Sequence, residues 1–208
     1  MRRFIFVLVA IPAILCYLTG TPISQAVPQP STKKAVKLFY VYSDKDFSNN
    51  SFFIPSGWMG DYSDIIFVPD STKNPYLGST CIKIIYKNKA SQGARWAGIY
   101  WQNPANNWGI EKDAGTDLTG AKRLTFWARG ERGGERIEEF KMGGISGAYP
   151  DSDTASIGPI VLTTEWKQYR IDLKGRDLSH IIGGFAWSAN LAANPGGCTF
   201  YLDEIRYE

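Results

Sequence analysis

KRLTFWARGERGGERIEEFKM, residues 122–142, is the stretch on which the fold turns. Leu124, Phe126 and Ala128 alternate with Thr125, Trp127 and Arg129, and a period of two marks a strand with one face on a core. Gly130 to Gly134 then reads as a hairpin turn. Arg136 to Met142 returns as a second strand, with Phe140 and Met142 one way and Glu139 and Lys141 the other.

Moving outward, the same strand signal recurs at Val36–Tyr42, Thr80–Tyr86, Arg95–Gln102, Ile157–Leu162, Lys167–Leu173, Ile181–Trp187 and Cys198–Tyr207. Gly, Asn and Pro turns separate these runs, and helical periodicity is almost absent. About ten short strands indicate an all-β sandwich, and two layers with closed edges suit a jelly roll. FFIPSGWMGD, residues 52–61, reads instead as a tight exposed loop holding Trp58 and Met59 between glycines. In the closing CTFYLDEIRY the alternation slips: Phe200 and Leu202 share one face, and Ile205 and Tyr207 join them only if a bulge inserts a residue at Asp203–Glu204.

The 208 residues suffice for one domain with a real core, assigned to 38–208. Residues 1–26 form a separate unit: Arg2 and Arg3, an apolar run from Phe4 to Leu18, then Ser24-Gln25-Ala26 with small residues where a signal peptidase cuts. Export to the periplasm, cell surface or medium follows, with an uncleaved anchor as the alternative. Residues 27–37 read as a solvated linker. The leader takes away Arg2 and Arg3 and no acid, so 21 basic face 20 acidic residues, a net charge of +1. That balance argues against a nucleic-acid partner, which calls for a concentrated basic footprint, and no later segment is apolar enough to hold the chain in a membrane. Two cysteines remain, Cys81 and Cys198. They are either a disulfide tying an early strand to the last one or two buried thiols.

The function-bearing stretch is RWAGIYWQNPANNWG, residues 95–109, with four aromatics beside one arginine, one glutamine and three asparagines. If Ala97 and Ile99 point inward, Trp96 and Tyr100 flank Gly98 on the other face as walls around a gap. Trp127 and Arg129, two apart on an outward face, are either a stacking ring with directed donors or an arginine packed on its neighbour. Trp101, Trp127 and Trp187 are expected to supply stacking surfaces, Arg95, Arg129 and Glu139 to hydrogen-bond hydroxyls, and Asn107 with Trp108 to form a rim. Asp203, with Asp44 or Asp46, is a candidate calcium site, the alternative being a solvent-facing acidic pair. Catalysis finds little support: the single histidine, His180, lies in a polar turn, and neither a GxSxG elbow nor zinc-ligand spacing is present.

The segments DLTGAKRLTFWARGERGGE, LTTEWKQYRIDLKGRDLS and TFYLDEIRYE together resemble the galactose-binding-like β-jelly rolls that serve as carbohydrate-binding modules of secreted glycan-degrading enzymes. With PSGWMGD and GIYWQNPANNWG, the chain is similar to small exported bacterial proteins of that fold whose function is uncharacterised. The resemblance spans about residues 38–208. It implies a non-catalytic module that binds a polysaccharide or oligosaccharide on a sheet face, with Asp203 at a position that often helps hold a structural calcium. A protein-interaction module using the same aromatic patch is the alternative function, and a glycan-active enzyme a further one.

Overall fold

A computed structural model describes residues 38–44 and 52–208, so the expected leader and linker lie outside the described residues. The first sheet runs β11 (Lys167–Asp172), β6 (Arg123–Gly130), β13 (Cys198–Tyr207), β4 (Cys81–Tyr86), β3 (Ile65–Ser71), with β1 (Phe39–Tyr42) pairing with the end of β13. The second runs β2 (Ile54–Gly60), β5 (Trp96–Gln102), β12 (Gly183–Asn190), β8 (Glu139–Gly143), β9 (Thr154–Ile157). A small ribbon pairs β7 (Arg136–Ile137) with β10 (Ile160–Val161). Every pairing is antiparallel, and the two sheets pack as a β-sandwich.

The core is aromatic because the inward positions of facing strands are. Phe126 of β6 lies 4.6 Å from Phe140 of β8 and 5.2 Å from Phe185 of β12. Trp101 of β5 meets Phe185 at 5.4 Å and Phe67 of β3 at 5.8 Å, and Trp187 of β12 meets Phe200 of β13 edge-on at 5.0 Å. Trp101 and Trp187 are 2% and 1% exposed, so neither offers a ring to a ligand, contrary to expectation. The cause is parity. Trp101 shares its face with Ala97 and Ile99, and Trp187 with Phe185 and Ala189, all of them core residues. Truncating either indole to alanine would cost about 3–5 kcal/mol.

The slip in β13 is resolved by a bulge. Its register against β6 shifts between Asp203 and Arg206, and Glu204 adopts a left-handed φ of 48°. Phe200, Leu202, Ile205 and Tyr207 all reach the core as a result.

Four expectations need correction. The hairpin read at Gly130–Gly134 does not form: β6 pairs with β11 and β13 in the first sheet, whereas the return run is split into β7, paired with β10, and β8, paired with β12 and β9 in the second sheet. The stretch around Trp58 is not a loop but the edge strand β2, where Pro55 and Gly57 are tolerated because only β5 pairs with it. The single strand expected over 157–162 is split into β9 and β10 at Gly158-Pro159, since proline has no N–H to give a ladder. Cys81 and Cys198 are free thiols rather than a disulfide. Cys198 pairs with Tyr86, at the opposite end of β4 from Cys81. Five residues of strand separate the two by about 16 Å, far beyond the reach of a bridge.

Candidate functional site

Each sheet turns one face away from the core, and the two faces differ in how much covers them. On the first sheet the 72–79 loop does. Arg129 Nη2 donates to Lys73 O at 2.8 Å, Trp166 Nε1 donates to Asn74 O at 2.9 Å, and the Tyr76 ring stacks on Trp127 at 3.6 Å and 15°. Asp203 Oδ2 accepts from Tyr76 N at 2.9 Å and Leu77 N at 3.3 Å, while Asp44 accepts from Ser79 and Thr80 at the loop's end. The Arg129 guanidinium is also sandwiched, 3.8 Å from the centre of Tyr201 and 5.2 Å from Trp166. Trp127 and Arg129 do point outward as the alternation requires, but one is half-buried and the other 5% exposed. Tyr76 takes the stacking surface of Trp127, and Arg129 is buried with Nη2 on the protein's own loop.

The same observations test a calcium site. Asp203 receives three N–H groups, those of Tyr76, Leu77 and, at 2.8 Å, Glu204. Asp44 receives the Ser79 N–H at 2.8 Å together with the Ser79 and Thr80 hydroxyls. N–H donors present positive charge, whereas a calcium cage presents oxygens. Asp46 lies outside the described residues, and among those described no three His, Cys, Asp or Glu side chains gather. As placed among the described residues, Asp44 and Asp203 therefore do not fit calcium. Nor are Asp203 and Glu204 a solvent-facing pair, since both are buried. Burial pushes the Asp203 carboxyl up to about 7, against the pull of its backbone hydrogen bonds.

The outer face of the second sheet is covered at one end, where Tyr100 and Ala186 are buried with Ile145 and Ile182 against Met59, and is part-exposed along Ser188, Glu139, Lys141 and Asn190. Cross-strand pairing lays its residues out in rows. Gly57, Tyr100, Ala186, Lys141 and Ser156 form one, and Met59, Gly98, Ser188 and Glu139 the next, with Trp96 and Asn190 beyond. Gly98 keeps the floor low, because a Cβ there would lie 2.5 Å from Trp187 O and 3.0 Å from Met59 Cε. Trp96 stands at one end of this furrow, 40% exposed. Four residues along β5, about 13 Å away, stands Tyr100, with the Trp108 ring edge-on to it at 5.9 Å. Trp108 is likewise 40% exposed and Tyr149 is 38% exposed. Lys141 and Glu139 lie between the ends, paired at 3.7 Å, with Lys141 Nζ 5.9 Å from the Tyr100 ring centre.

Buried polar groups hold the rims. At the Trp108 end, Asn107 is fully buried and its Oδ1 accepts from the N–H groups of Gly109, Ile110 and Glu111, so it fixes the turn instead of contacting a ligand. Gln102 Nε2 donates to Asn107 O at 2.8 Å, and Tyr149 N donates to Gly109 O at 2.9 Å, joining the two loops of that rim. Asp151 carries the second loop by accepting from Ile145, Ile182 and Gly183. At the other end, the buried Asp61 accepts from Gln92 N at 2.9 Å, Ala94 N at 3.0 Å and Arg95 N at 2.7 Å. Those bonds present Arg95 and Trp96 to a cleft of about 500 Å3, also lined by Glu138, Ser188 and Asn190.

Of the residues expected at a site, Arg95, Trp108 and Glu139 come together on this face, with Asn107 beneath it. Trp127 and Arg129 lie on the opposite sheet, and Trp101 and Trp187 between the two. Trp96, read from the alternation as a wall of a gap, lies on this face, and Met59 and Lys141 join it without having been singled out as ligand contacts. Strand parity does signal Trp96 and Lys141, whereas nothing local signals the loop-holding carboxylates Asp61 and Asp151.

No family model and no curated protein matches the chain. Among solved structures, it is similar to a family 30 carbohydrate-binding module, with a TM-score of 0.56 and 14% identity over 83% of this chain and 98% of that one. A family 30 carbohydrate-binding module from a cellulosomal cellulase of Clostridium thermocellum superposes with a TM-score of 0.55 and 15% identity, over 83% of this chain and 97% of that one. Identities this low establish architecture alone: the chain shares the jelly-roll β-sandwich fold of these carbohydrate-binding modules.

Proposed function

We propose that the mature chain is an exported, non-catalytic carbohydrate-binding protein that holds a glycan along the part-exposed furrow of the second sheet. The observation that carries this reading is the pair of half-exposed indoles, Trp96 and Trp108, set at the two ends of a glycine-floored trough. Sugar rings present C–H faces that stack on aromatic rings and hydroxyls that need directed partners. The furrow offers both, with Ser188, Glu139, Lys141 and Asn190 between or beside the rings. Its carboxylates are engaged by cations, Glu139 by Lys141 at 3.7 Å and Glu138 by Arg136 at 3.0 Å, an arrangement suited to holding hydroxyls rather than to donating a proton across a scissile bond. The fold similarity to carbohydrate-binding modules supports the same reading.

Affinity gel electrophoresis of residues 27–208 against a panel of soluble polysaccharides tests it. Retardation by at least one glycan is expected, weakened about twofold to tenfold by Trp96→Ala or Trp108→Ala, since stacked rings are worth about 0.5–1.5 kcal/mol each. Absence of retardation across the panel refutes binding, and release of reducing ends refutes the non-catalytic assignment.

A further inference from the structure

We propose that the cleft beside Trp96 selects glycans carrying an anionic substituent, a uronate carboxylate or a sulfate ester, and that Arg95 is the residue that receives it. The proposal rests on the glycan-binding reading above and adds the chemical class of the ligand.

Three observations lead to Arg95. The first is charge. Lys141 is paired with Glu139 and Arg136 with Glu138, but Arg95 has no hydrogen-bond or ion-pair partner for its side chain among the described residues. Glu138, the acid that shares the cleft, is already held by Arg136, so no free carboxylate stands ready to neutralise Arg95 or to repel an incoming anion. The second is backbone. Arg95 sits at φ 61°, in the left-handed region where glycine is at ease and a side chain is strained. Both of its backbone groups are tied, the N–H to Asp61 at 2.7 Å and the carbonyl by Leu191 N at 2.9 Å. Strain kept in place by a fully buried carboxylate fixes the point from which the guanidinium leaves the chain, and such strain clusters at ligand clamps. The third is position. Arg95 lines the same cleft as the exposed ring of Trp96 and the Ser188 hydroxyl. A pyranose stacked on Trp96 would bring a ring substituent to the guanidinium, whose planar fork matches a carboxylate or sulfate with two parallel hydrogen bonds.

The test uses residues 27–208 and pairs of polymers differing only in charge: uronate-bearing polysaccharides with their carboxyl-reduced forms, and sulfated polysaccharides with their desulfated forms. Binding is measured by calorimetry at low salt and again at about 0.5 M NaCl, where screening is strong. At least one acidic polymer should bind about tenfold to a hundredfold tighter than its neutral derivative, with the preference shrinking in salt. Which pair responds tells uronate from sulfate. Arg95→Gly, a residue suited to the left-handed backbone, should fold and bring the acidic-to-neutral ratio close to one, and Arg95→Lys should restore part of it. Equal affinity for charged and neutral forms, binding to neutral glycans alone, or a ratio that survives Arg95→Gly would overturn the assignment while leaving glycan binding intact. Failure to bind any polymer would overturn both.

Discussion

Replacing Asp61 by asparagine changes one heavy atom and should unsettle one whole end of the furrow. In the native protein Oδ1 accepts from Gln92 N and Ala94 N, and Oδ2 accepts from Arg95 N. An asparagine can keep its carbonyl oxygen toward the first two, which places its NH2 against the N–H of Arg95, donor facing donor. The lost charge-assisted bond is worth about 2 kcal/mol, and turning the remaining two into neutral bonds costs about 0.5–1 kcal/mol each, for a total of about 3–4 kcal/mol. The Tyr86 hydroxyl, 3.4 Å from Oδ2, can turn to accept from the new NH2 and is left out of that sum. For a domain of this size each kcal/mol moves Tm by about 2–4 °C, so Asp61→Asn should melt about 6–16 °C below the parent in a scan followed by tryptophan fluorescence. A fall of less than about 2 °C would show that the carboxylate is not what holds the 92–95 loop, and the account of how Arg95 is kept at a left-handed φ would fail with it.

Trp187 offers a test of core chemistry, because its indole is fully buried while Nε1 has no hydrogen-bond partner. Trp187→Ala should cost about 3–5 kcal/mol in urea unfolding, whereas Trp187→Phe, which removes the orphaned N–H, should cost under about 2 kcal/mol; equal losses would contradict this. The two thiols of residues 27–208 should resist alkylation at pH 8, since burial pushes Cys81 up to about 11 and Cys198 up to about 12, which keeps both protonated. Denaturation should then release two reactive thiols, and finding none would establish the disulfide that strand register excludes.

Strand parity made much of this fold legible. Leu124, Phe126 and Ala128 announced an inward face, and the slip between Leu202 and Ile205 announced a bulge, since only an extra residue lets Ile205 and Tyr207 rejoin the core. The same parity, followed one residue further along β5, separates Trp96 from Trp101, and composition alone does not. Trp127 and Arg129 show the limit of that reasoning. Alternation says that they leave the core, but whether they meet water depends on a loop more than fifty residues earlier in the chain, which arrives to stack Tyr76 on one and take a hydrogen bond from the other. Carboxylates that serve backbone N–H groups, such as Asp61 and Asp151, look in sequence like any polar loop residue. Their role is set by where distant backbone donors converge.

The pairing of Phe39 with Tyr207 has a geometric outcome for how the molecule can be attached. It brings residues 38 and 208 out side by side on the first sheet, the layer that lies behind the furrow. A polypeptide spliced onto residue 208 therefore starts from the layer that does not carry the furrow.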